Sequence, residues 1–283
     1  VTRVVACQLA PVIGDLAANA ELSSAAVRAA VDDGADVVVL PELVTSGYVF
    51  TSPEEARTLA VQLDHGVFSS WAAACAARGG GVSPVVVGGF CELGDDGLLY
   101  NSAAVVDASG VRAVYRKAHL WDREKLVFTP GSAVPPVVET AHGRIAVMVC
   151  YDLEFPEWTR TAALPSGDRP GADLIAVPTN WPLVPRPDGE RAPEVVIAMA
   201  AARVNRVAIA CADRTGTERG VDWNEGTSIV SADGWVVSAV GAGTGVAQAD
   251  LDLTASRDKR LTEHAHLMDD RRTELYGAVA PPP

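Results

Sequence analysis

RIAVMVCYDLEFPE (144–157) joins an apolar run to a proline-opened segment through one cysteine. The run from Ile145 to Val149 has no polar interruption, the pattern of a strand covered on both faces. Pro156 suits the first turn of a helix, because its missing N–H is unneeded there. The stretch therefore reads strand, turn, helix, with Cys150 at the turn and Asp152 and Glu154 as supporting carboxylates near the positive helix end. Cys150 has two readings, a small core hydrophobe or a nucleophile, and its partners must decide between them.

The same pattern recurs along the chain. RVVACQL (3–9), ADVVVLPE (35–42), DLIAVPT (173–179) and RVAIACAD (206–213) are apolar strands. Helices are expected over 16–33, with Asp15 as cap and Gly34 closing it, over 53–78 behind Ser52 and Pro53, near 156–164 and over 190–204. Strands at SPVVVGGFCE (83–92), LLYNSAAVVD (98–107) and VRAVYRK (111–117) are separated by GDDG (94–97) and ASG (108–110). Residues 226–253 read as an antiparallel meander turning at Asp233-Gly234. About twelve strands exceed what one twisted sheet holds comfortably, so the expectation is an α/β fold of two stacked sheets with outer helices. Neither a linker nor a repeat divides the chain. One domain over 1–268 is expected, with 269–283 as a tail packing on a partner subunit or trailing off.

Composition removes several function classes. Twenty-three basic against 36 acidic residues give a formal net charge of −13, which opposes binding to nucleic acid or an anionic membrane. No apolar run approaches the ~18 residues of a membrane span, and the opening VTRVVACQLAP reads as a strand, not a signal peptide. Five cysteines without close pairs fit a reducing compartment, with the cytoplasm as the default. His65, His119, His142, His264 and His266 form no zinc pattern with them, so neither metal nor cofactor is expected.

The thiol has candidate partners in equivalent positions. Glu42 follows VVVLP, Lys117 ends VYRK and Cys150 ends RIAVMVC. Reactive side chains at the carboxyl ends of three strands sit where open α/β sheets place their sites. Each also has a bland reading: a solvated loop carboxylate, an edge-strand charge, a core thiol.

LPELVTSGY (40–48), YRKAHLWDREKLVFTPG (115–131) and CYDLEFPE (150–157) resemble the three signature blocks of the nitrilase superfamily, the carbon–nitrogen hydrolases. ACQLAPVIGD (6–15) and PTNWP (178–182) fit as well, so the resemblance covers nearly the whole chain. It implies Glu42 as general base, Lys117 as transition-state cation, Cys150 as nucleophile and Glu124 as a second glutamate holding Lys117. The alternative for Glu124 is a surface partner of Arg123 or Lys125. The resemblance also implies a four-layer α-β-β-α sandwich, assembled as a homodimer or higher homo-oligomer. Val204 in AARVNRV departs from the family, which often has Glu there.

The expected activity is hydrolysis of a small aliphatic or ω-amide to carboxylate and ammonia through a thioester. The Tyr151-Asp152 pair favours amide over nitrile; a nitrilase or an N-carbamoyl amidohydrolase is the alternative. Tyr48, Trp121, Tyr151, Asn180 and Trp181 are the candidates for contacting substrate, against the alternative that the aromatics are plain core.

Overall fold

The computed structural model describes residues 1–79 and 81–276. Along the chain come β1 (Thr2–Gln8), α1 (Leu16–Asp32), β2 (Val37–Val39), α2 (Pro53–Leu59), α3 (Gly66–Ala77), β3 (Val85–Leu93), β4 (Leu99–Asp107) and β5 (Gly110–Arg116). A second series follows: β6 (Val137–Thr140), β7 (Gly143–Val147), α4 (Pro156–Ala163), β8 (Leu174–Pro178), α5 (Pro193–Asn205) and β9 (Ala208–Ala212). A two-strand ribbon, β10 (Thr217–Glu218) and β11 (Val221–Asp222), precedes β12 (Ser228–Val230), β13 (Val236–Ala239) and β14 (Gly245–Leu251). A second ribbon, β15 (Arg260–Thr262) with β16 (Ala265–His266), comes last.

Two six-stranded mixed sheets form, in the orders β14-β1-β2-β3-β4-β5 and β6-β7-β8-β9-β12-β13. Read in these directions, the pairings match step for step: antiparallel, parallel, parallel, antiparallel, antiparallel. The two sheets thus share a pairing pattern that no sequence repeat announces, although the edge strand β14 of the first comes from the far end of the described chain.

Strand β2 shows how the layers stack. Val37 and Val39 share one face of their sheet with Val4, Ala6, Val85 and Val87, and all six belong to a core cluster that takes in β7, β8 and β9 of the other sheet. Val38 and Leu40 face outward onto Val27 and Val31 of α1 and Phe68 and Trp71 of α3. Period-two alternation with both faces covered is what a continuous apolar strand requires. Helices α4 and α5 cover the second sheet through Ala162, Ala198 and Ala202. The result is the expected α-β-β-α sandwich.

Three local expectations change. The helix expected over 53–78 is two helices, because Val61 leaves it to bond strand β3 (Val61 N–H to Cys91 O, 2.9 Å; Leu93 N–H to Val61 O, 3.0 Å). His65 then caps α3, its Nδ1 accepting from Val67 N–H at 3.2 Å. The meander is divided between sheets: β12 and β13 stay in the second, whereas β14 crosses to pair with β1 in the first. Gln8 Nε2 holds the crossing by donating to the carbonyls of Gly241 (2.8 Å) and Gly243 (2.7 Å). Strand β6, paired with β7, had no counterpart in the sequence reading. Of the expected tail, residues 269–276 contain a 3₁₀ turn at Thr273–Leu275, and 277–283 lie outside the described residues.

Candidate active site

Glu42, Lys117 and Cys150 each follow the end of a strand. Glu42 lies beyond β2, after Pro41 stops the strand. Its segment is pressed against β3 by Gly89 N–H to Pro41 O (3.1 Å) and Val44 N–H to Gly89 O (3.0 Å). A Cβ at Gly89 would sit 2.5 Å from Glu42 Cα, so glycine is required for this approach. Lys117 is the first residue past β5; its N–H donates to Asn101 O and its carbonyl accepts from Gly131 N–H, both at 2.8 Å. Glu124 lies within a 3₁₀ turn, Asp122–Leu126. Cys150 opens another, Cys150–Glu154, with its backbone left-handed at φ 49°. Such a conformation is strained for a residue with a side chain and is characteristic of functional turns.

The charged groups converge in a buried cluster. Lys117 Nζ lies 2.7 Å from Glu42 Oε1 and 2.8 Å from Glu124 Oε1. Asn101 Nδ2 donates to Glu42 Oε1 at 2.7 Å, while Glu42 Oε2 is buried with no partner among the described residues. Tyr48 OH donates to Glu124 Oε1 (2.6 Å) and Trp121 N–H to Glu124 Oε2 (3.1 Å). Asn180 links the two sheets here. Its amide donates to Glu42 O at 2.8 Å, and its carbonyl receives the Cys150 thiol at 3.9 Å.

Burial pushes the Glu42 carboxyl up to about 7; Lys117 opposes the shift and Glu124 adds to it. Burial works against the Lys117 ammonium, but Glu124 and Glu42 outweigh it and hold its pKa well above the usual lysine range. The Cys150 thiol is pushed well up, first by burial and then by the Glu42 carboxylate, with Lys117 pulling the other way. At neutral pH the resting cluster therefore holds a protonated thiol, a permanent cation and a carboxyl poised to take a proton.

A cavity of ≈310 Å³ opens beside Glu124, lined also by Tyr48, Phe50, Trp121, Phe128 and Val221, while Glu42, Lys117 and Cys150 lie outside its wall. Two of the five expected substrate contacts, Tyr48 and Trp121, are in its wall. Tyr151 is not, though its ring meets Trp121 edge-on at 4.8 Å. Trp181 and Asn180 also lie outside that wall. Trp181 is 2% exposed and packs beneath Gly226 in the core. Asn180 is fully buried, holding backbone instead of lining the cavity. Glu124 is not a surface charge, since it is buried against Lys117 and Tyr48.

Sequence reasoning missed Asn101, Gly89 and the anchor of the Tyr48 wall. That anchor is Glu218, whose Oε1 accepts from Tyr48 N–H (2.8 Å) and Val49 N–H (2.6 Å) while Arg214 holds its other oxygen at 2.6 Å. Asn101 left a signal, a polar residue inside the apolar strand LLYNSAAVV. The Gly88-Gly89 pair inside another strand was a second. Among the described residues no group of three His, Cys, Asp or Glu side chains has the arrangement to hold a metal ion.

A family model described as carbon–nitrogen hydrolase matches residues 3–260. A nitrilase of Pyrococcus abyssi is 36% identical over 277 residues, covering 97% of this chain and 98% of that protein. A 2-oxoglutaramate amidase of Bacillus subtilis is 30% identical over 245 residues, 86% of this chain and 87% of the other. Among solved structures, an amidase from Nesterenkonia sp. AN1 superposes with a TM-score of 0.77 at 26% identity, covering 99% of this chain and 100% of that one. In that structure acrylamide has undergone Michael addition at the active site cysteine.

Proposed function

The chain belongs to the carbon–nitrogen hydrolase family, and from that premise we propose that it is an amidase working through a thioester on Cys150. The observation that carries this reading is the unpartnered Glu42 Oε2, a buried proton acceptor in the cluster that holds Lys117 and the Cys150 thiol.

The chemistry follows from the groups present. Glu42 takes the thiol proton as Cys150 Sγ bonds to the amide carbon. Negative charge gathers on the former carbonyl oxygen, where Lys117 Nζ and the Tyr151 backbone N–H serve as donors; each well-placed donor contributes about 3–4 kcal/mol. Glu42 returns the proton to nitrogen, the C–N bond breaks and ammonia leaves. Water then attacks the thioester, giving its proton to Glu42; the C–S bond breaks, the carboxylic product departs and the thiol is restored. A base near pKa 7 suits both proton transfers. Glu124 holds Lys117 charged and in place, and Tyr48 orients Glu124.

We assign a small aliphatic or ω-amide as substrate, entering by the Tyr48–Trp121 cavity. The Tyr151-Asp152 pair supports amide over nitrile, and the relatedness to an amidase acting on 2-oxoglutaramate is consistent with an ω-amide. The relatedness to a nitrilase supports a second reading, a small nitrile. We also read the enzyme as cytoplasmic, where a catalytic thiol stays reduced, and as a homodimer or larger homo-oligomer. Among the described residues no helix is long and apolar enough to cross a membrane.

An ammonia-release screen over aliphatic amides, ω-amides, N-carbamoyl compounds and nitriles tests the assignment. Release from an amide, lost in Cys150→Ala, supports it. Turnover of nitriles alone, or release accompanied by carbon dioxide, replaces it with the nitrilase or carbamoyl reading.

A further inference from the structure

Asp152 is fully buried two residues after the nucleophile, and four donors converge on its carboxylate. Oδ2 accepts from Tyr115 OH at 2.8 Å and Val149 N–H at 3.1 Å. Oδ1 accepts from His119 N–H at 3.0 Å and contacts His119 Nδ1 at 2.7 Å. A carboxylate only accepts, so the ring nitrogen carries its proton on Nδ1. These donors come from two places. Val149 directly precedes Cys150, and His119 lies two residues after Lys117.

The surroundings reinforce the link. Tyr115 OH accepts in turn from Trp158 Nε1 (2.9 Å) and Ala118 N–H (3.3 Å). The His119 ring stacks on Phe155 with centroids 3.9 Å apart. Cys150 needs such support, because its left-handed backbone relaxes unless neighbours hold it. Val149 N–H bonding back to the third residue of the turn is half of a capping box, and it fixes the geometry at that point.

We propose that Asp152 is a positioning residue for the hydrolysis, clamping the nucleophile turn against the lysine loop so that Cys150 and Lys117 stay in register. This rests on the reading of Cys150 as nucleophile and adds a residue that touches no reacting atom. The carboxylate is specifically required. An Asn has one acceptor oxygen, so in either orientation its NH2 faces a pair of donors, at least one of them a backbone N–H or a tyrosine hydroxyl.

The test compares wild type, Asp152→Asn and Tyr115→Phe in ammonia release and in alkylation of Cys150 by iodoacetamide across pH. With Asp152→Asn, kcat is expected to fall about 100-fold with KM within about threefold, the scale of a misplaced reacting group. The pH of half-maximal alkylation rises, because the thiolate loses its register with Lys117. A folded Asp152→Asn with wild-type kcat and alkylation profile overturns the proposal, as does one that is merely less heat-stable. If Asp152→Asn does not fold, Tyr115→Phe decides: a severalfold fall in kcat at unchanged KM supports the clamp, and wild-type kcat overturns it. Alkylation needs no substrate, so the clamp remains measurable even if the amidase reading fails.

Discussion

Lys117 Nζ lies 2.7 Å from Glu42 Oε1, and neither side chain reaches solvent. An ion pair taken out of water gives up hydration on both sides, so such a pair is weak evidence of stability and better evidence of function. Here the cation is shared with Glu124, leaving two carboxylates on one ammonium. That surplus of negative charge, together with burial, is why Glu42 is not an ordinary carboxylate.

As the proposed base, Glu42 is expected to set the acid limb of the rate profile. A base works only when unprotonated, and burial lifts its value from 4.5 to about 7. Below about pH 7, kcat/KM is therefore expected to fall toward tenfold per pH unit. The linkage sign is also fixed. Between about 4.5 and 7 the fold keeps a proton that the unfolded chain has released, so this group's contribution to stability falls as pH rises through that window. Ammonia-release rates from pH 5 to 9 check the limb; a midpoint near 4.5 contradicts the assignment of Glu42.

Removing the cation should cost both activity and stability. Lys117→Met leaves Glu42 and Glu124 buried without their shared partner, a loss of about 3–5 kcal/mol for a broken buried pair. Denaturant unfolding at pH 8 measures it. A midpoint unchanged from wild type would show that Lys117 is not the neutralising charge.

Cys150→Ser keeps shape and hydrogen bonding but replaces the thiol by a much weaker acid. Turnover should drop by about 10³-fold or more. Acid-quenched wild type with a slow amide should carry one acyl group per chain on the peptide containing Cys150. Label on any of Cys7, Cys75, Cys91 or Cys211 instead would remove Cys150 from its role.

Gly89→Ala tests how the base is seated. The new methyl would lie 2.5 Å from both Glu42 Cα and Leu43 N, with no flexible side chain to yield. The backbone carrying Glu42 must shift, and kcat should fall about 100-fold, with about 1–3 kcal/mol lost to overpacking. The control is Gly97→Ala, whose added methyl has nothing within 4 Å although its positive φ is strained. Equal kcat losses in the two variants would show that the seat of Glu42 is irrelevant.

The residues of the site differed in how they could be read. Glu42, Lys117 and Cys150 each sit at a strand end, and runs such as VVVLPE show this by apolar pattern alone. Glu124 could not be separated from a surface charge, because its burial depends on Tyr48, 76 residues away. Trp181 could be read as pocket wall or as core, and its burial depends on Gly226, 45 positions later, which provides the space its ring fills. Asp152 reads as a supporting carboxylate, but what it binds could not be read, because its donors Tyr115 and His119 are 37 and 33 residues distant.

By itself the sequence determined the apolar strands, most helix boundaries and the need for two covered sheets, because alternation and capping act between residues a few positions apart. Tertiary structure decided that β14 joins the first sheet, and it alone brought three strand ends into one buried cluster. It also set the proton affinity of Glu42. Those outcomes are collective: the field at a buried carboxyl is the sum of charges and lost hydration contributed by segments far apart in the chain.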